Sequence, residues 1–282
     1  MKALYHLLIV ATLTCCLCMT GCDNDNGLAQ YGKGEEVPPG PDPNLPVVTT
    51  PTHLERPGVM DKNWLLEYTA GDFSLEYAPS KKHPKWVAWP LYKAHMGSSG
   101  RTDAWQFDAR IPEEDRPTRE DFRGYDRGHL CPSADRTAST SMNEQTFMYS
   151  NMSPQLAGLN QRIWARLEDK IRRWVGDDTL YICAGGTILK EDDIMSHTSA
   201  STMAVPKYYF KVILRKKATT GAFDAIGFWF ENKDYGSEAL SSNHAKTIDD
   251  IETLTGLDFF YNLPEDEQNR VEAAFTPSAW GL

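Results

Sequence analysis

Asp126-Arg127-Gly128-His129, then Ser150-Asn-Met-Ser-Pro-Gln155, then Asn160-Gln-Arg-Ile-Trp164-Ala-Arg-Leu-Glu168: these three runs share a stretch of 43 residues, and the rest of the chain reads as scaffold or delivery for it. The third run opens the best helix in the sequence, Asn160 to Val175, because Ile163, Leu167, Ile171 and Trp174 recur at helical spacing and Gly176 stops it. At about 100° per residue, Asn160, Trp164 and Glu168 drift slowly around one side of that helix, with Asn160 and Glu168 about 12 Å apart along its axis. Arg162, Arg166, Lys170 and Arg173 fall away from the apolar stripe, as a solvated basic face. The first run, read as extended, turns Arg127 and His129 to the same side, since side chains alternate along a strand. Gly128 between them allows a close backbone approach or an unusual dihedral.

Upstream of this stretch, Trp64 to Tyr68, Phe73 to Tyr77 and Trp86 to Trp89, the last stopped by Pro90, predict antiparallel strands of one sheet. Downstream, Leu180 to Cys183, Tyr208 to Leu214 and Ala225 to Phe230 are rich in β-branched and aromatic residues and predict central strands. Ile248 to Leu254 and Glu265 to Phe275 predict short helices. Strands and helices neither alternate strictly nor separate, so a mixed α+β domain with a mainly antiparallel sheet fits better than a doubly wound sheet.

The first 22 residues read as a lipoprotein-type signal: Lys2, an apolar run from Leu7 to Met19 too short to span a bilayer, then Thr20-Gly21-Cys22, with Cys22 as the acylated residue. Residues 23–58, crowded with Pro38, Pro39, Pro41, Pro43, Pro46, Pro51 and Pro57, predict a semi-rigid linker, and residues 59–282 the folded domain. The expected location is thus exported and membrane-anchored, periplasmic or at the cell surface. Only Cys131 and Cys183 lie beyond the signal, so one disulfide is the upper limit, and no zinc-binding spacing occurs. A net charge of -10 excludes coating nucleic acid by bulk charge; a polyanionic ligand would need a local cluster, for which Lys81, Lys82, Lys85 and Lys93 are candidates.

The residue types of the central stretch share one chemistry. Cleavage of a phosphodiester requires an activated water, a cation on the phosphoryl oxygens and further positive charge for the pentavalent transition state. His129 can accept the proton, histidine being the side chain whose unperturbed pKa lies nearest neutral pH. Asn160 offers a neutral, hard oxygen of the kind magnesium accepts while keeping most of its waters. Arg127 can grip phosphate with its fork. Glu168 stands too far along the helix to bind the same ion directly and suits holding the ion's waters instead. Each also has a plainer reading: Asn160 as a helix cap, His129 as a structural histidine, Glu168 in a surface pair with Arg172.

Taken together, Asp126-Arg-Gly-His129, Ser150-Asn-Met-Ser-Pro-Gln155, Leu159-Asn-Gln and Trp164-Ala-Arg-Leu-Glu-Asp169 closely resemble the DNA/RNA non-specific endonucleases of the ββα-metal superfamily, the type that includes Serratia nuclease and mitochondrial endonuclease G. The spacings from Asn151 to Asn160 and from Asn160 to Glu168 match that pattern, and weaker likeness extends over most of Val59 to Leu282. The resemblance implies a ββα-metal active-site motif, with His129 as general base. It implies Asn160 as the single protein ligand of magnesium, for which manganese can substitute, and Glu168 as a partner of that ion through water. Arg127 and an upstream arginine would stabilise the phosphorane; Arg101 is the choice for the second, with Arg110 as its competitor. Asn151 would fix the site by hydrogen bonding, and Arg172 would assist at its edge. DNA and RNA would be held through phosphate, with 5′-phosphate and 3′-hydroxyl products, by a monomer or a homodimer. Two other functions compete: a surface lipoprotein that binds nucleic acid without cutting it, and a phosphodiesterase acting on another secreted substrate.

Overall fold

A strand covered on both faces must be apolar at nearly every position, whereas a strand with one wet face alternates. Tyr208-Tyr-Phe-Lys-Val-Ile-Leu-Arg-Lys216 is of the first kind, with six consecutive buried residues in the middle. The computed structural model describes residues 52–282; the expected signal, Cys22 and most of the expected linker lie outside the described residues. The strands in chain order are β1 (Leu65–Tyr68), β2 (Phe73–Ala78), β3 (His83–Leu91), β4 (Asp126–His129), β5 (Met152–Gln155), β6 (Thr179–Gly186), β7 (Ile194–His197), β8 (Ala204–Pro206), β9 (Tyr208–Lys216), β10 (Phe223–Glu231) and β11 (Ala245–Lys246). The helices are α1 (Thr140–Gln145), a π-helical segment Leu159–Trp164 that runs into α2 (Ala165–Val175), α3 (Ile248–Thr255) and α4 (Glu265–Glu272).

Seven strands form one antiparallel sheet in the order β1-β2-β3-β6-β9-β10-β11, and β4-β5 and β7-β8 are separate two-stranded pairs. The expected α+β class with a mainly antiparallel sheet is what is found. Alternation along β9 assigns the two faces. Tyr209 and Ile213 pack with Ile163, Leu167 and Ile171 of the long helix, while Phe210, Val212 and Leu214 pack with Ile248, Ile251 and Val271 of α3 and α4. Along β3, Val87, Trp89 and Leu91 join the first set, and Trp86 and Ala88 the second. The site helix and the C-terminal helices therefore lie on opposite faces of one sheet.

Three expectations need correction. β3 does not stop before Pro90 but runs through it to Leu91, with Pro90 opposite Tyr181 of β6. Its pairing with β2 has ended by Ala88, so the missing proline donor falls where no ladder bond is required. The last helix ends at Glu272, short of Phe275, which is exposed; Thr276-Pro277 follows, and the residue before a proline avoids helical backbone. Finally, the packed body begins before residue 59. Leu54 is buried among the residues of the α3 and α4 face, and the Gly58 N–H donates to Asp258 O at 2.8 Å. Cys131 and Cys183 are free and buried, which fits small core hydrophobes rather than a bridge. No helix among the described residues is long and apolar enough to cross a membrane.

Candidate active site

Two strands and a helix build the site. β4 and β5 pair antiparallel, Asp126 opposite Gln155 and His129 opposite Met152, and the helix follows β5 after a short turn. Gly128 sits opposite Ser153, and a Cβ there would lie 2.0 Å from Oε1 of Gln155, so the glycine serves close approach. Arg127 and His129 fall on one side, and both line an open cleft with Arg101, Asn160 and Glu168.

His129 is held edge-on by Phe147 and Trp105, at ring-centroid separations of 4.9 and 5.7 Å. Its Nε2 is shielded from solvent and has no hydrogen-bond partner among the described residues. Burial, followed by the nearby Arg101 guanidinium, pulls its pKa down to about 3, so the ring is neutral at physiological pH. A neutral ring with an unpaired nitrogen is a proton acceptor in waiting.

Both cleft arginines rest on aromatic faces. The Arg127 guanidinium lies 3.9 Å from the Trp105 ring centroid and that of Arg101 4.7 Å from Phe147. Arg101 also bonds Asp103 and Ser133. Arg110 does not reach the cleft: it is clamped by Asp108 through Nε and Nη2, and its Nη1 donates to Glu67 O. Asn151 is fully buried beneath the strand, its Oδ1 accepting from Cys131 N–H and its Nδ2 donating to Cys131 O and Thr146 O. It braces the segment that follows His129 without touching the cleft.

Asn160 is not the helix cap. The backbone is already helical at Gly158, and Asn160 O accepts from Ala165 N–H, a bond across five residues. This wide turn changes the geometry expected of a regular helix. An extra residue in the turn brings Asn160 and Glu168 from about 80° apart around the axis to about 20°, and shortens their separation along it. Asn160 Nδ2 donates to Asp126 Oδ2 at 2.9 Å, as does Gln161 Nε2 at 2.8 Å. A carboxylate can only accept, so Asp126 fixes which way the amide points and leaves Asn160 Oδ1 for the cleft.

Glu168 is mostly buried, and burial pushes its pKa up to about 7 against the pull of Lys211. Lys211 Nζ lies 3.5 Å from Glu168 Oε1, close enough for charge pairing but too long for a good hydrogen bond, and 4.2 Å from the Trp164 ring centroid. The lysine is wholly buried, and its pKa is lowered by that burial. Arg172 leaves Glu168 alone and bonds Asp135 and Asp169. The helix's basic face is only partly solvated: Arg166 bonds Glu238 O and Lys170 bonds Gly281 O, so two of its four cations hold down later segments. The lysines expected to mark a polyanion groove are engaged elsewhere, Lys81 with Glu191, Lys82 with Glu114 O and Lys85 with the buried Glu76; Lys93 is exposed and lies off the cleft.

Sequence reasoning missed Asp126 and Lys211 as parts of the site. Lys211 carried a signal, since a lysine inside a run apolar on both faces must have a buried partner. Asp126 carried none beyond its place next to Arg127.

Residues 62–266 match the family model of the DNA/RNA non-specific endonucleases. The chain is 29% identical over 245 residues to a nuclease of Nostoc sp., covering 81% of this chain and 82% of that protein. It is 28% identical over 204 residues to the nuclease of Serratia marcescens, covering 70% and 75%. A crystal structure described as the EndoG/EndoGI complex superposes with a TM-score of 0.65 at 24% identity, covering 72% of this chain and 88% of that one, which supports the fold. A histidine with a free nitrogen, an oriented asparagine and two exposed guanidinium groups thus occur on a chain that belongs to the DNA/RNA non-specific endonuclease family.

Proposed function

We propose that this cleft hydrolyses phosphodiester bonds of DNA and RNA with little sequence preference, with magnesium as cofactor and His129 as general base. The observation that carries the reading is the unpaired, neutral His129 Nε2 in the same cleft as the oriented Asn160 amide. His129 takes a proton from water, whose oxygen attacks phosphorus. The bond from phosphorus to the 3′ oxygen then breaks, leaving a 5′-phosphate, and a solvent proton completes the 3′-hydroxyl. Arg127 and Arg101 neutralise charge that grows on the phosphoryl oxygens, their faces backed by aromatic rings rather than cancelled at every donor.

The donor set fits magnesium. One neutral oxygen and one carboxylate, with no further carboxylate lining the cleft among the described residues, suit an ion that keeps most of its waters. Asn160 would hold it directly and Glu168 through water; when bound it supplies positive charge at the scissile phosphate. Weak sequence preference follows because every contact invoked is to phosphate. The groove next to the cleft, lined by Trp105, Arg119 and Arg127 among others, extends the surface on which the strand would lie. Export through residues 1–22 and anchoring through an acylated Cys22 complete the proposal and rest on the sequence alone.

The test is nicking of plasmid DNA and degradation of RNA by the purified protein with magnesium, both abolished by EDTA. His129→Ala should lose about 10²- to 10⁴-fold in rate while remaining folded. A His129→Ala protein of full activity refutes the mechanism, and retention of DNA without cleavage in magnesium would favour a binding protein instead.

A further inference from the structure

Across the sheet from the cleft, three carboxylates converge. Asp249 and Glu252 are three residues apart in α3 and so share one side of that helix, and Glu272 ends α4. One oxygen from each lies within 4.8 Å of the other two. Asp249 is exposed, Glu252 is half-buried, and Glu272 is buried at 4% relative exposure. Oε1 of Glu272 is sealed from solvent and has no hydrogen-bond partner among the described residues. A buried carboxyl group that has one oxygen unpaired and stands among two further carboxylates is costly unless something positive sits among them.

The charge around the cluster makes this worse rather than better. Asp258 stands close enough to add to the repulsion: burial above all, with these neighbouring acids, pushes Glu252 and Glu272 up to about 7 against the opposing hydrogen bonds of Phe259 N–H to Glu252 and Gln268 to Glu272. Glu252 Oε1 accepts from the Phe259 N–H at 2.6 Å, which fixes that side chain and leaves its other oxygen available. Hence the described residues hold three carboxylates together without supplying a counter-ion among them.

We propose that Asp249, Glu252 and Glu272 form a calcium site that ties α3 to α4. Three carboxylates are a hard, all-oxygen donor set, and calcium binds such oxygens at about 2.3–2.6 Å, so that two on opposite sides stand about 5 Å apart. Oxygens that all lie within 4.8 Å of one another fall inside that span, so a single ion of this size can bridge them. Magnesium insists on near-octahedral order and gives up its waters reluctantly, which suits poorly a set in which one carboxylate oxygen is sealed from solvent. The open side at Asp249 leaves room for waters to complete a coordination of six to eight, as calcium accepts. The site is structural: it lies on the α3 and α4 face, with the sheet between it and His129.

The experiment uses the full chain carrying Asn160→Ala, so that calcium cannot be held by that amide in the cleft, and reads binding rather than activity. Calorimetric titration with calcium chloride should find one ion per chain. Calcium at about 100 times its dissociation constant should raise Tm by about 5–10 °C. Adding Glu272→Gln should weaken binding about tenfold or more, because the site loses a third of its formal charge. Asp249→Asn tests the same point at an exposed position where folding is not at stake, and should also weaken binding. No calcium bound at millimolar concentration, with Tm unmoved, would mean that the cluster is held by protons and overturns the proposal. Equal stabilisation by magnesium overturns the assignment to calcium, and unchanged affinity in both variants overturns the assignment to these residues.

Discussion

Replacing Lys211 with methionine should produce a loss of stability that grows with pH. At 3.5 Å and an effective dielectric constant of about 20, the coupling of Lys211 to Glu168 is about 5 kcal/mol, an upper figure because Glu168 retains some solvent contact. Loss of the ammonium would therefore raise the Glu168 pKa by up to about three units beyond the value near 7 that it has with Lys211 in place. Its folded pKa already lies above the unfolded one, so Glu168 favours folding below the unfolded value, and that advantage is lost as pH rises toward 7. Below about pH 6 the carboxyl is protonated in both proteins, and the lysine contributes little attraction. Above about pH 7 the parent ionises Glu168 against Lys211 while the variant must keep it protonated or bury a lone charge. The cost of Lys211→Met should accordingly rise by about 1.4 kcal/mol per pH unit above 7, or about 2 kcal/mol between pH 5.5 and pH 8.5. Guanidinium unfolding of the two proteins in EDTA, at both pH values, measures this directly. Adding Glu168→Gln to both members should remove the pH dependence. A cost that is the same at pH 5.5 and 8.5 refutes the pairing and returns Lys211 to a packing role.

Two further outcomes follow from the same geometry. Asp126→Ala should loosen the Asn160 amide and raise the magnesium needed for half-maximal cleavage about 10- to 100-fold while leaving the fold intact; an unchanged magnesium requirement means that Asp126 does not orient Asn160. Gly128→Ala should lower stability by about 1–3 kcal/mol, since the added Cβ would sit 2.0 Å from the Gln155 side chain, and Gln155→Ala in the same protein should recover much of it; urea unfolding of the single and double variants decides.

How much of this was readable in advance depended on which interactions each residue makes. The strands and the long helix were legible because their apolar residues recur with the periods of the elements that bury them, and Gly176, at φ 49°, ends the helix where the sequence places the stop. Arg127 and His129 share a side because four residues in a strand alternate by rule. Choosing between Arg101 and Arg110 was beyond the sequence. Both lie in segments without periodicity, and what separates them is Asp108, which claims Arg110. Asp126 and Asn160 are 34 positions apart, and only the pairing of β4 with β5 and the turn before the helix bring them together. The basic stripe was misread in part because helical spacing says which side a residue faces but not what else the chain lays over it, here Glu238 and the Gly281 end.

The wide turn at Asn160 bears on how such sites are found in other sequences. Eight positions separate Asn160 from Glu168 here, and on a regular helix that count would point them about 80° apart. The π-helical segment absorbs one residue, so their bearings match those of a pair seven positions apart on an uninterrupted α-helix. Two spacings therefore encode one arrangement, and a chain that lost a single residue between the two would keep the site by straightening its helix. A search pattern tied to a separation of eight would pass over such a chain, whereas one that admits seven as well follows the direction of the side chains rather than the length of the peptide between them.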